Sequence, residues 1–211
     1  MKKIDYPLTK LNMTLCVLTI VGIILFNLFA CTGCASIPAV DEELAKTART
    51  YECDYHTLSW KTHISFEMDG EQYDITGDLF RIVTDPLTLK NSKGEVVGTA
   101  DDSYHLINQD DHCIIIDGQF EVAITGNFEV FGESYELYDE NQNKVGHTEF
   151  SELGTSGGII DANGNTIAVY SKNIMFNDYT VTIYDNDVCS DKAILMIVAS
   201  YVSDYQADNN D

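Results

Sequence analysis

Short runs of alternating hydrophobic and polar residues recur through the chain. Ile64, Phe66 and Met68 alternate with His63, Ser65 and Glu67, Asp69-Gly70 supplies a turn signal, and Tyr73 and Ile75 resume the alternation. Phe120, Val122 and Ile124, then Phe128 and Val130, then Tyr179, Val181 and Ile183 repeat the style. A period of two over such short runs predicts half-buried antiparallel strands. Turn signals about 8–12 residues apart predict an all-β sandwich or barrel.

One regularity recurs inside this pattern. Asn91, Gly94, Val97 and Gly98 stand at offsets 0, 3, 6 and 7. Asp139, Gln142, Val145 and Gly146 repeat those offsets, as do Asp161, Gly164, Ile167 and Ala168. Each set follows a strand-like run (LTLK, YELY and SGGII). The reading is a strand, a tight turn opened by Asn or Asp, and a second strand whose small residue admits a neighbour. The copies are 48 and 22 residues apart, too uneven for a solenoid, so they predict three hairpins of one design.

Ala193–Val202 (AILMIVASYV) breaks the alternation. Only Ser200 interrupts it, and it carries no charge. It is too short to span a bilayer. Ser190 and Asp191 suit a helix N-cap and first turn, which predicts a helix over about 191–205. Such a helix is apolar on every side and must be enclosed. Its β-branched residues suit a central strand as well, and periodicity alone does not separate the two.

A second apolar run, Leu11–Ala30, has the length of a membrane span. Lys2, Lys3 and Lys10 precede it, and Asp41, Glu42 and Glu43 follow it, so the N-terminus is expected in the cytoplasm and the rest outside. Three fates are open: a cleaved secretory signal, an uncleaved anchor or a lipoprotein signal. Leu28-Phe29-Ala30-Cys31 resembles a bacterial lipobox, in which Cys31 is lipidated and becomes the mature N-terminus, although Phe29 is bulkier than usual there. Cys34 is the alternative lipidation site. The expected location is a bacterial cell membrane, lipid- or helix-anchored, with the domain on the extracytoplasmic side. The expected segments are a signal or anchor over 1–31, a tether over 32–58, a barrel domain over 59–205 and an acidic tail over 206–211. Within the tether, DEELAKTART (Asp41–Thr50) suits a short exposed helix.

Length and charge narrow the function. The chain has 211 residues, enough for one domain and a targeting segment, and 45% of them are apolar, enough for a real core. Its net charge is −22, and nine bases face 33 acids after the N-terminal run. That surface repels nucleic acid and anionic headgroups and favours basic peptides, divalent cations or simple solubility.

The hairpins of the form D-x-x-G-x-x-V/I-G/A resemble those of the LURP-one-related family, within the tubby C-terminal-domain-like superfamily. The resemblance runs through GNFEVFGESYELYDENQNKVG (Gly126–Gly146), IIDANGNTIAVYSK (Ile159–Lys172) and NDYTVTIYD (Asn177–Asp185) into the closing apolar stretch. It covers roughly Phe66–Asp204. It implies a mainly β (α+β) fold, a closed antiparallel β-barrel of about twelve strands around a hydrophobic C-terminal helix. This architecture would give Ala193–Val202 an enclosure, and it favours the helix reading. The superfamily also implies phospholipid interaction, of the kind seen in tubby-like proteins and scramblases. The headgroups involved call for clustered Lys or Arg, which this chain lacks.

Candidate chemistry is sparse. The chain has no G-x-S-x-G, H-E-x-x-H or P-loop motif, and its five histidines (His56, His63, His105, His112 and His147) are scattered. Ser156, in GTSGG, reads as part of a loop between strands. Cys53, Cys113 and Cys189 read as buried thiols, with disulfides among them and Cys34 left open. Cys53-x-x-His56 with His112-Cys113 supplies four zinc-type ligands, but adjacent strand residues face opposite ways. Asp139-x-Asn141-x-Asn143 and Asp161-x-Asn163-x-Asn165 open like calcium loops, yet lack the Gly and the distal Glu, and read as Asx turns. Asp185, Asp187 and Asp191 read as complements to a helix N-terminus. No catalytic, metal or cofactor residue is therefore assigned. The expected function is a non-catalytic, membrane-anchored envelope module for binding or structure. The alternatives are a phospholipid-interacting protein and an envelope hydrolase using Asp or Glu.

Overall fold

The structure, a computed structural model, describes residues 39–40, 42–56, 61–78, 87–101, 111–129, 132–151, 154–173 and 178–208. All of these belong to one compact unit, Ala35–Asp211. Cys31 and Cys34 lie outside the described residues.

A short exposed helix, α1 (Glu42–Lys46), precedes twelve strands. These are β1 (Arg49–Tyr55), β2 (Lys61–Met68), β3 (Glu71–Asp78), β4 (Leu87–Asn91), β5 (Val96–Asp101), β6 (Asp111–Ile116), β7 (Gln119–Glu129), β8 (Gly132–Tyr138), β9 (Lys144–Phe150), β10 (Ser156–Asp161), β11 (Thr166–Lys172) and β12 (Tyr179–Ile183). The second helix, α2, spans Asp191–Asp208. Each strand pairs antiparallel with its neighbours in sequence, and β1 pairs with β12 to close a barrel. Closure leaves no open sheet edge.

The alternation decides what faces inward. Ile64, Phe66 and Met68, Tyr73 and Ile75, Val122 and Ile124, and Tyr179, Val181 and Ile183 are all buried in one core. The continuous apolar stretch is a helix, and Ala193–Val202 is at most 5% exposed at every position. It is the centre of that core, surrounded by the strands.

The repeated offsets mark three hairpins built alike. In each, the opening residue (Asn91, Asp139 or Asp161) closes the turn from its backbone N–H to the carbonyl four residues on. Its side-chain Oδ1 accepts the N–H groups two and four residues ahead. Gly94, Gln142 and Gly164 hold φ of 78°, 64° and 87°, and the strand register shifts beside each turn. This is a turn followed by a left-handed bulge residue. The small residue at offset 7 has the expected use. A Cβ on Gly98 would stand 2.7 Å from Ile116 Cδ1 and 3.2 Å from the Met196 sulfur of α2, and one on Gly146 would stand 2.5 Å from the Ile160 carbonyl.

Two expected boundaries are corrected. Arg49–Tyr55, assigned to the tether, is the first barrel strand, paired with both β12 and β2. Cys53 and Tyr55 are buried while Glu52 and Asp54 are exposed, a period-two pattern hidden by the charged segment before it. The helix also continues past 205 to Asp208, so the first residues of the expected acidic tail are helical.

Candidate functional site

The N-terminus of α2 opens into a cleft of about 470 Å³ at one mouth of the barrel. Its polar lining comes from β1 (Arg49 and Tyr51), the β2–β3 turn (Asp69), the β6–β7 turn (Asp117), β7 (Glu121) and the helix start (Ser190–Lys192). Both turns are two-residue Asp-Gly loops with positive φ at both positions, 53° and 76° for Asp69-Gly70 and 51° and 78° for Asp117-Gly118. That conformation suits the twist of the strands they join, so the sheet itself presents these two carboxylates at the rim.

Ser190 is the N-cap. Its hydroxyl accepts the Ala193 N–H at 3.3 Å, and its own N–H donates to Glu121 Oε2 at 2.9 Å. Asp191, in the first turn, is held by three bonds: Arg49 Nε at 2.6 Å, Arg49 Nη2 at 2.8 Å and the Tyr51 hydroxyl at 2.7 Å. The fork matches guanidinium to carboxylate bidentately and places the acid against the positive end of the helix. Asp191's side chain is 11% exposed and Arg49's is 41%. The hydrogen bond to Asp191 raises the Arg49 pKa. Burial, followed by the bond to Asp191, raises that of Tyr51. Lys192 lies 3.5 Å from Asp117 Oδ2 and 5.1 Å above the Tyr73 ring. Tyr73 in turn donates to Glu71 at 3.0 Å. Four carboxylates thus line the cleft against two cations, each of which already faces an acid. Met68 and Ile116 add apolar wall. The arrangement suits recognition of a cationic group.

The other candidate residues lie elsewhere. Cys53 and Cys189 are buried free thiols, and burial pushes each up to about 12. Cys113 is buried on β6. Cys53 and His56 are set by β1, whereas His112 and Cys113 are on β6, which does not neighbour β1. The zinc combination is therefore not assembled. The Asp139 and Asp161 carboxylates accept hydrogen bonds from their own loops, as Asx turns do. Of the three late aspartates, Asp185 accepts the Asp187 N–H, and Asp191 is the one on the helix. Ser156 opens β10, and its N–H donates to Ser151 Oγ at 3.1 Å. Sequence reasoning missed Arg49, Tyr51 and Glu121. The only local signal was the alternation in β1. Arg49 and Asp191 are 142 residues apart in the chain.

No protein-family model and no curated protein matches the chain. Among solved structures it matches the X-ray structure of a protein from Arabidopsis thaliana, AT5G01750. The identity is 8% and the TM-score 0.33, over 72% of this chain and 90% of that one. Among the described residues, no helix is long and apolar enough to cross a membrane.

Proposed function

We propose that this protein is a non-catalytic, membrane-anchored extracytoplasmic barrel of the LURP-one-related kind that binds cationic partners, basic peptides first among them, at the mouth around α2. One observation carries the reading. The helix fills the barrel, so recognition falls to the rim, where Arg49 and Lys192 face Asp191 and Asp117 while Asp69 and Glu121 add further negative charge. The lipobox-like Leu28–Cys31 and the preceding lysines support attachment to the outer face of a bacterial cell membrane, with Cys31 as the lipidated residue and Cys34 as the alternative.

The test uses the full chain in detergent. Fluorescence anisotropy of a labelled oligolysine is expected to show saturable binding that weakens with salt, and an oligoglutamate is expected to show none. A D69N/D117N/E121Q variant should bind the oligolysine at least several-fold more weakly. Equal binding by this variant, or none by the native chain, overturns the mouth as the site. Calcium titration of the same samples reads the divalent-cation version. Mass spectrometry of the membrane fraction is expected to find a diacylglyceryl group on Cys31, and an unmodified, uncleaved N-terminus overturns the lipid anchor.

A further inference from the structure

The outer wall of β1–β3 carries a second constellation, remote in role from the mouth. Tyr55 pairs with Ile64, and the His56 N–H donates to the His63 carbonyl at 3.0 Å, so the ladder runs one residue beyond β1. His56 and His63 therefore stand directly opposite each other on neighbouring strands. Their rings lie with centroids 4.6 Å apart, tilted by 36°. Residues so paired have Cβ atoms about 4.5–5.5 Å apart, close enough for two imidazoles to share one ion.

Each ring has its Nε2 engaged by a neighbouring polar side chain. His63 Nε2 lies 3.2 Å from Asp74 Oδ1, and a carboxylate accepts, so Nε2 carries a proton, and in the neutral imidazole Nδ1 then holds the lone pair. His56 Nε2 lies 3.2 Å from Ser65 Oγ, a hydroxyl that can accept as well as donate, so an ion on Nδ1 would select the tautomer in which Nε2 donates to it. A histidine whose far nitrogen donates to a carboxylate or hydroxyl is held as metal-ligating histidines are held, with its tautomer and ring plane fixed from behind. Asp74 is paired to Ser65 across β2–β3, and Ser65 to Asp54 across β1–β2, so this patch is also negative. The side chains of His63 and Asp74 are each 40% exposed, so an ion can reach the pair from solvent.

We propose that His56 and His63 form a two-nitrogen site for a borderline divalent transition ion, Cu²⁺ in preference to Zn²⁺, with Asp74 and Ser65 as the groups that orient the imidazoles. Among the described residues, no three metal-type side chains already converge. The protein thus supplies two ligands, and water or a side chain from a partner completes the shell. Imidazole donors and an open shell favour Cu²⁺ over Zn²⁺ and disfavour Ca²⁺ and Mg²⁺.

The experiment is Cu²⁺ titration of the full chain in detergent, read by calorimetry and by electron paramagnetic resonance. The native chain is expected to bind one Cu²⁺ whose spectrum carries splitting from two nitrogens. H56Q and H63Q should each lose one nitrogen and saturable binding. D74N should keep both nitrogens and weaken binding about tenfold. H147Q, on another wall, should behave as native. Thermal melts of the metal-free variants should match the native chain, because these side chains lie on the surface. A two-nitrogen signal that survives in H56Q or H63Q, or its absence from the native chain, overturns the proposal.

Discussion

Leu195→Asp isolates the helix's part in stability. Leu195 is 1% exposed, at the heart of the core with Ile194 and Met196 at 0% on either side. Removing the leucine side chain alone, as in Leu→Ala, costs about 2–5 kcal/mol. Putting a carboxylate there with no partner adds several kcal/mol more, whether it ionises in place or is held protonated. The sum rivals the roughly 5–15 kcal/mol that holds a domain of this size together. Val96, on β5, is 55% exposed, and the same change there should cost under about 1 kcal/mol. Urea unfolding of both variants, followed by far-ultraviolet circular dichroism, separates the cases. L195D should be unfolded or nearly so without urea, while V96D keeps a midpoint close to native. An L195D midpoint like that of V96D would refute the enclosure of α2.

Three further outcomes are expected. Arg49→Met removes the fork from Asp191 but leaves Tyr51 in place; since Arg49 is part-exposed, the loss should be about 1–2 kcal/mol by urea unfolding, and oligolysine binding should tighten as Asp191 is released. Asp161 is pushed up by burial, but the hydrogen bonds from Asn165 and Asn163 outweigh this and hold its pKa below the ordinary value. Its contribution is then complete above the unfolded carboxylate range and is lost as the pH falls through the folded one, so D161N should flatten the acid limb of a stability–pH curve while keeping the turn, as neutral Asn91 does in the first hairpin. Cys53 and Cys189, pushed up to about 12 by burial, should resist a thiol-specific disulfide reagent at neutral pH and react fully in urea; rapid native labelling of either would contradict their burial.

The fold was legible wherever a local pattern carried it. Alternation located β2, β3 and β12, and the Asx-turn offsets located three hairpins and the use of their small residues, while the bulge beside each turn came only with the strand register. Ser190 marked the start of the helix because capping is chemistry between residues three apart. β1 was lost because the charged stretch before it extended the tether through an alternation that is plain once Cys53 and Tyr55 are seen buried. The mouth was illegible for a different reason. Arg49, Glu121 and Asp191 meet only because the barrel closes and the helix threads it, and no window of sequence contains them together. The cross-strand histidines are nearer in sequence, yet their pairing depends on a register that only β1–β2 contacts fix.

Native-state hydrogen exchange of the backbone amides from Ile194 to Val202 reads directly whether the barrel is filled by its own helix. A helix enclosed by twelve strands can expose these amides only when the barrel itself opens. Their exchange should therefore be the slowest in the chain, with a free energy equal to that of global unfolding and rising in step with it when oligolysine binds the folded mouth. Exchange of these amides at a free energy well below global unfolding would place α2 outside the cooperative core and contradict the account.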